Sequence, residues 1–201
     1  MPDLYLFTGD SITDAGRFTD PDRNLGEGYV RRLDESLRGR GAGSRVVNTG
    51  IGGHRAADLR SRWKPDVLDH RPALLSILVG INDTWRRYDS DDPTTAESYA
   101  ADYRALLEAL DRDVTRTLVL IEPFLVPLTG EQEEWRLDLD PKIAVVRDLA
   151  REFDAILVPA DVELNRHAAE LGAGAIAFDG VHPSDLGHRL LAQLWLEHVR
   201  P

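Results

Sequence analysis

The 201-residue chain contains no cysteine and a single methionine. Without cysteine there is no disulfide, no thiol nucleophile and no thiolate metal ligand, and the redox compartment is unconstrained. Long apolar runs are missing too: none approaches the ~20 residues of a membrane helix. The opening Met1-Pro2-Asp3-Leu4 has neither the basic nor the apolar segment of a signal peptide, so a cytoplasmic location is expected. Positive charge is in short supply. Lys and Arg number 24 against 35 Asp and Glu, a formal net charge of -11. Such a surface repels phosphate backbones and anionic headgroups, which argues against nucleic-acid and membrane partners. Walker-type phosphate loops, dinucleotide glycine spacing and His-Glu-x-x-His are absent, so no cofactor and no metal is expected. A Gly-x-Ser-x-Gly elbow is also missing.

What is present is a rhythm of short apolar runs and longer amphipathic ones. Strands are expected at Leu4–Thr8, Arg45–Asn48, Leu74–Val79, Leu118–Ile121 and Ala155–Val158. Their apolar runs are mostly continuous rather than alternating, as in parallel strands covered on both faces. Between them the 3.6-residue period predicts helices over Tyr29–Leu37, Ala57–Trp63, Thr94–Asp111, Val162–Leu171 and from Ser184 onward. Thr94 and Glu97 have capping-box spacing, and Asp140-Pro141 reads as an N-cap followed by proline at the first helical position. Alternating strands and helices imply an α/β fold, a three-layer α/β/α sandwich around a parallel sheet. No linker, repeat or low-complexity tract interrupts residues 1–201, which are read as one domain.

In such sheets ligands bind beyond the carboxyl ends of the strands. Polar motifs follow three of the expected strands directly: Gly9-Asp10-Ser11, Gly50-Ile51-Gly52-Gly53 and Gly80-Ile81-Asn82-Asp83. Near the other end lies Asp179-Gly180-Val181-His182. A serine hydroxyl is a poor nucleophile until a base takes its proton, and the base needs a partner to hold its tautomer. Ser11 is therefore read as nucleophile, His182 as base and Asp179 as its orienting acid. Three donors are available for a developing oxyanion: the Ser11 N–H, the Gly53 N–H, with Gly50 and Gly52 as close competitors, and the Asn82 amide.

These blocks, in this order, resemble the four signature blocks of the SGNH (GDSL-like) hydrolases, and the resemblance spans nearly the whole chain. It implies a flavodoxin-like five-stranded parallel sheet and metal-free ester hydrolysis through an acyl-enzyme. It also implies that Ser11, Gly53, Asn82 and His182 are the name-giving residues. Three longer stretches resemble the bacterial branch that includes acetyl xylan esterases: Gly9 to Arg17, Asp58-Leu59-x-x-Arg62-Trp63, and Gly80 to Asp89. One departure stands out, because His54-Arg55 occupies a place where many relatives carry Asn-Thr or Asp-Thr.

Around this centre, Asp10 and Asp83 are read chiefly as caps for loops and helices. Asp10 is also grouped with Arg17, His54 and Trp85 as a candidate substrate contact, and Arg86 and Tyr88 join Trp85 on the expected sugar rim. Trp135, in a long loop read over Pro123–Asp140, either lines a lid or docks that loop. His70, His167, His188 and His198 are read as surface or helix-face residues. The favoured substrate is a small acyl ester, an acetylated sugar. Longer-chain lipase or thioesterase activity, sugar O-acetyl transfer, metal-dependent phosphoester hydrolysis through Asp10, Asp83, Asp179 and His182, and a non-catalytic sugar-binding scaffold are the competing readings. Aromatic-rich loops such as Trp85–Tyr88 and Trp135 leave room for a homo-oligomer.

Overall fold

The computed structural model describes residues 3–19, 24–39 and 43–199. Five parallel strands form one sheet: β1 (Leu4–Gly9), β2 (Arg45–Asn48), β3 (Leu74–Leu78), β4 (Thr117–Ile121) and β5 (Ile156–Val158). Their order is β2-β1-β3-β4-β5. The chain reverses its direction of winding between β1 and β3, and such a switch point opens a crevice at the carboxyl ends of the strands. The α/β sandwich and its flavodoxin-like sheet are those expected, with strand ends moved by a residue or two.

Side-chain alternation along the strands builds two cores. Leu6 points to one face and Phe7 to the other, each with no exposed surface. On the Leu6 face lie α3 (Ala56–Asp66), α5 (Ala96–Glu108) and most of α7 (Arg136–Glu152), which bury Leu59, Trp63, Tyr99, Tyr103, Val146 and Leu149. On the Phe7 face lie α2 (Tyr29–Gly39), α8 (Ala160–Leu171), α9 (Ala173–Ile176) and α10 (Asp185–His198), centred on Trp195. Trp195 packs its ring against Phe7 at 5.5 Å and donates its N–H to Ser76 Oγ at 3.1 Å. That bond fixes α10, and with it the loop ahead of α10, against the central strand. Three short helices complete the path: α1 (Ser11–Asp14), α4 (Ile81–Asp89) and α6 (Gly130–Glu134).

Helices α3 and α8 start one and two residues earlier than read, and two further starts differ for identifiable reasons. Thr95, not Thr94, caps α5, its hydroxyl accepting from Ser98 N–H at 3.1 Å. Helix α7 begins at Arg136, five residues before Pro141, so that proline lies inside the helix. The stretch read as a loop over Pro123–Asp140 therefore holds α6 and the first turn of α7. Two interactions hold this early start: Trp135 is buried where α6 meets α7, and Arg136 makes two hydrogen bonds to the Asp161 carboxylate at 2.7 and 2.8 Å. The helix tolerates Pro141 because the ring forfeits only the bond to the Leu137 carbonyl, on a residue that is 84% exposed.

Candidate active site

The end of β1 turns sharply into α1. Asp10 is its N-cap and accepts from Ile12 N–H at 3.0 Å, which leaves Ser11 as the first helical residue, directly above the sheet. Only glycine fits just before this turn: a Cβ on Gly9 would lie 2.0 Å from the Leu78 carbonyl oxygen. The β1 turn is thereby pressed against β3, whose own end leads into α4 and Asn82.

The segment after β2 is stitched to this turn. Asn48 donates to the Thr13 carbonyl at 2.7 Å, and Ile51 N–H to the Gly9 carbonyl at 3.1 Å. Gly50 N–H bonds to Asn48 Oδ1 and Gly52 N–H to Asp14 Oδ2. Among the described residues no partner meets the N–H of Gly53, which has φ +81° and lies at the surface. That distinction separates Gly53 from its two neighbours as an available donor. Asn82 is buried in the first turn of α4, and one of its amide hydrogens goes to the His54 carbonyl at 3.1 Å. The amide has a second hydrogen to give.

Asp179 and His182 reach the same edge from the loop before α10. Ser11 Oγ stands 2.9 Å from His182 Nε2, and His182 Nδ1 stands 2.6 Å from Asp179 Oδ2. The other Asp179 oxygen accepts the N–H groups of Val181, at 3.0 Å, and His182, at 2.7 Å. Burial pushes the Asp179 carboxyl up, but its bonds to the His182 ring and to the two N–H groups outweigh this and hold it below the ordinary value. An ionised carboxylate can only accept, so the proton of the imidazole sits on Nδ1 and the Nε2 lone pair faces the serine.

The support of this loop was not read from the sequence. Gln132, in α6, donates to the Asp179 carbonyl at 2.7 Å while its side-chain oxygen accepts from Leu128 N–H at 2.8 Å. Val126 N–H bonds the Gly180 carbonyl at 2.8 Å. Phe178 stacks on the His182 ring with centroids 5.8 Å apart, yet is itself 65% exposed. Trp85 approaches the same ring at 5.8 Å from the other segment. Of these contacts only Trp85 carried a sequence signal, by following Asn82.

Several expected site residues lie elsewhere. Asp10 is fully buried beneath the serine turn and presents no surface to a substrate; its role is the cap. Asp83 is buried as well, accepting from Ala56 N–H at 3.2 Å at the start of α3. Burial, with a smaller contribution from Asp83, raises the Asp10 carboxyl to about 7, and burial likewise raises that of Asp83 to about 7. Arg17 is 9% exposed and spends its Nε on the Gly50 carbonyl at 2.6 Å, so it ties loops rather than reaching outward. His54 is half-buried beside Gly53, its Nδ1 accepting from Arg62. Trp135 is buried, stacks on Tyr88 at 5.2 Å and docks its segment, the second of the two readings given for it. His188 lies on a face of α10, as read, but is half-buried there, and its Nδ1 accepts the Tyr29 N–H at the start of α2. Among the described residues no three His, Asp or Glu side chains gather as a metal centre requires, so the phosphoesterase constellation does not assemble.

The sequence pattern of the GDSL-like Lipase/Acylhydrolase family matches residues 7–190, which takes in every segment just described. The chain belongs to this family. It is accordingly a carboxylic ester hydrolase. An acetylxylan esterase of Geobacillus stearothermophilus is 36% identical over 96% of this chain and 92% of its own length. The crystal structure of an acetylxylan esterase from that organism, Axe2, superposes with a TM-score of 0.89 at 34% identity, covering 98% of this chain and 93% of that one. LAE5, an alpha/beta hydrolase enzyme from the metagenome of Lake Arreo, superposes with a TM-score of 0.90 at 27% identity over 98% and 94% of the two chains. Two further Axe2 structures are of catalytic mutants, one with a histidine and one with a serine replaced by alanine.

Proposed function

We propose that the protein removes acetyl groups from acetylated carbohydrate, xylo-oligosaccharides among them, through an acyl-enzyme on Ser11. The observation that carries this reading is the unbroken chain from Ser11 Oγ to His182 to Asp179 beside Gly53 and Asn82. As Ser11 attacks the ester carbonyl, its proton moves to His182 Nε2, and the imidazolium formed is stabilised by the Asp179 carboxylate. The carbonyl oxygen gains charge facing the Ser11 and Gly53 N–H groups and the Asn82 amide. His182 then gives this proton to the sugar oxygen as its bond to the acyl carbon breaks, and the sugar leaves with a free hydroxyl. Water, deprotonated by the same nitrogen, releases acetate.

The acetylxylan esterase relative supports the sugar side of the reading. Trp85 and Phe178, each with its ring 5.8 Å from that of His182, offer apolar faces on which a sugar ring can lie. The test is acetate release from acetylated xylo-oligosaccharides by wild type and Ser11→Ala. Release by the wild type alone is expected, and equal release by both removes the serine nucleophile. In parallel, rates on p-nitrophenyl esters of two to twelve carbons are expected to fall steeply with chain length. A maximum at eight or more carbons assigns the enzyme to longer acyl substrates instead.

A further inference from the structure

Arg62, in α3, has a side chain 11% exposed and four hydrogen bonds. Its Nη2 donates to the Gly9 carbonyl at 3.0 Å, two residues before Ser11. Its Nη1 donates to the Thr49 carbonyl at 2.6 Å, at the start of the Gly53 segment, and to Asp66 Oδ2 at 2.6 Å. Its Nε donates to His54 Nδ1 at 3.0 Å. The backbone carbonyl of that same His54 accepts from the Asn82 amide. The serine turn, the glycine segment and the asparagine helix thus all meet at one arginine–histidine pair.

We propose that Arg62 and His54 form a bracket holding the three oxyanion-donor segments in register, and that both are positioning residues for ester hydrolysis. The inference rests on the reading of Ser11, Gly53 and Asn82 as those donors. A guanidinium has donors only, so the nitrogen of His54 facing Arg62 must be bare and the ring proton must sit on Nε2. Burial first, and then the Arg62 charge, hold the His54 imidazole below its ordinary value against the opposing Asp58 and Asp66, which keeps the ring neutral. A single ammonium could not reproduce this forked pattern. The bracket needs an acceptor close to the backbone at position 54, which asparagine supplies. Glutamine places its amide where Nε2 stands and supplies no such acceptor.

Steady-state hydrolysis of p-nitrophenyl acetate by five variants tests the bracket. Arg62→Met and His54→Leu are expected to lower kcat by about tenfold to a hundredfold, as a misplaced donor does, with KM within about twofold of wild type. Arg62→Lys is expected to behave like Arg62→Met. His54→Asn is expected to recover most of the loss of His54→Leu, and His54→Gln to recover little. Nitrogen-15 spectra of the wild type are expected to show His54 protonated on Nε2, and those of Arg62→Met a mixture of tautomers. Unchanged kcat in both Arg62→Met and His54→Leu overturns the proposal. So does the opposite rescue, in which His54→Gln is active and His54→Asn raises KM, because His54 would then be a substrate contact. If Arg62→Met fails to fold, the His54 variants decide, since they leave the other three Arg62 bonds in place. Failure of a fluorophosphonate to label Ser11 in the wild type overturns the serine-esterase reading instead, and the tautomer spectra then decide the bracket alone.

Discussion

The two halves of the proposed catalytic site are built in different ways. The donor half sits on strand ends: Ser11, Gly53 and Asn82 follow β1, β2 and β3, on segments joined by bonds between backbone groups and buried side chains. The base half is a loop away from any strand, in which Asp179 and His182 make their bonds mainly to each other and to two N–H groups of the same turn. Stabilising charge that exists only in a transition state demands donors fixed in advance, and a sheet edge gives that rigidity. Orienting an imidazole demands only one carboxylate at the correct nitrogen, and four residues of loop can do this alone. The loop then needs a few external ties to stand at the right distance from the serine.

The contrast is open to direct attack. The largest effect is expected in the base half, from Asp179→Asn, which keeps the shape but allows the wrong imidazole tautomer; kcat should fall by roughly 10⁴ in stopped or steady-state assays. In the donor half, Asn82→Ala should lower kcat by about 10² to 10³ with a much smaller change in KM. A loss in KM alone would mean that Asn82 binds the ground state. Gln132→Ala removes a tie of the base loop without touching the reacting atoms. A fall in kcat of about tenfold to a hundredfold is expected, since a displacement of an ångström is enough, whereas a value equal to wild type would show that the loop positions itself unaided.

The smallest effect on activity and the clearest on stability concerns His188. Burial first, and then Arg32, depress this imidazole to about 4, below the ordinary value of 6.5 that it regains on unfolding. The unfolded chain therefore takes up the proton first, and this residue's contribution to stability is full above pH 6.5 and declines as the pH falls toward 4. The loss attributable to this residue is up to about 3 kcal/mol. Urea unfolding of both proteins across that interval should show wild type losing up to that much stability relative to His188→Gln as the pH falls, on top of the opposite contribution that the raised Asp10 and Asp83 carboxyls make in both, with little change in kcat at neutral pH. An equally steep profile would place the acid sensitivity elsewhere.

The sheet was legible because a parallel strand buried on both faces announces itself as a short continuous apolar run, as Leu74 to Val79 does. Ser11, Gly53, Asn82, Asp179 and His182 stood out because each sits in a dense local motif. What stayed hidden depended on contacts distant in sequence. Pro141 read as a helix start because the local signal is strong; the buried Trp135 and the Arg136–Asp161 pair that extend α7 backwards join separate segments. Gln132 lies in a stretch without periodicity, and its bond to Asp179 spans 47 residues. The period of α10 gave His188 a face but not a depth. Asp10 and Arg17 were misplaced for a related reason: lying next to or within a few residues of Ser11 in sequence says nothing about whether a side chain turns toward solvent or under the turn.

The sheet narrows from six residues in β1 to four in β2 and three in β5, the two outermost strands. Such brief borders offer little unpaired main chain on which a foreign strand could continue the ladder. Copies of the folded protein that meet find little border to extend, which disfavours the strand-on-strand aggregation that threatens many β-rich molecules.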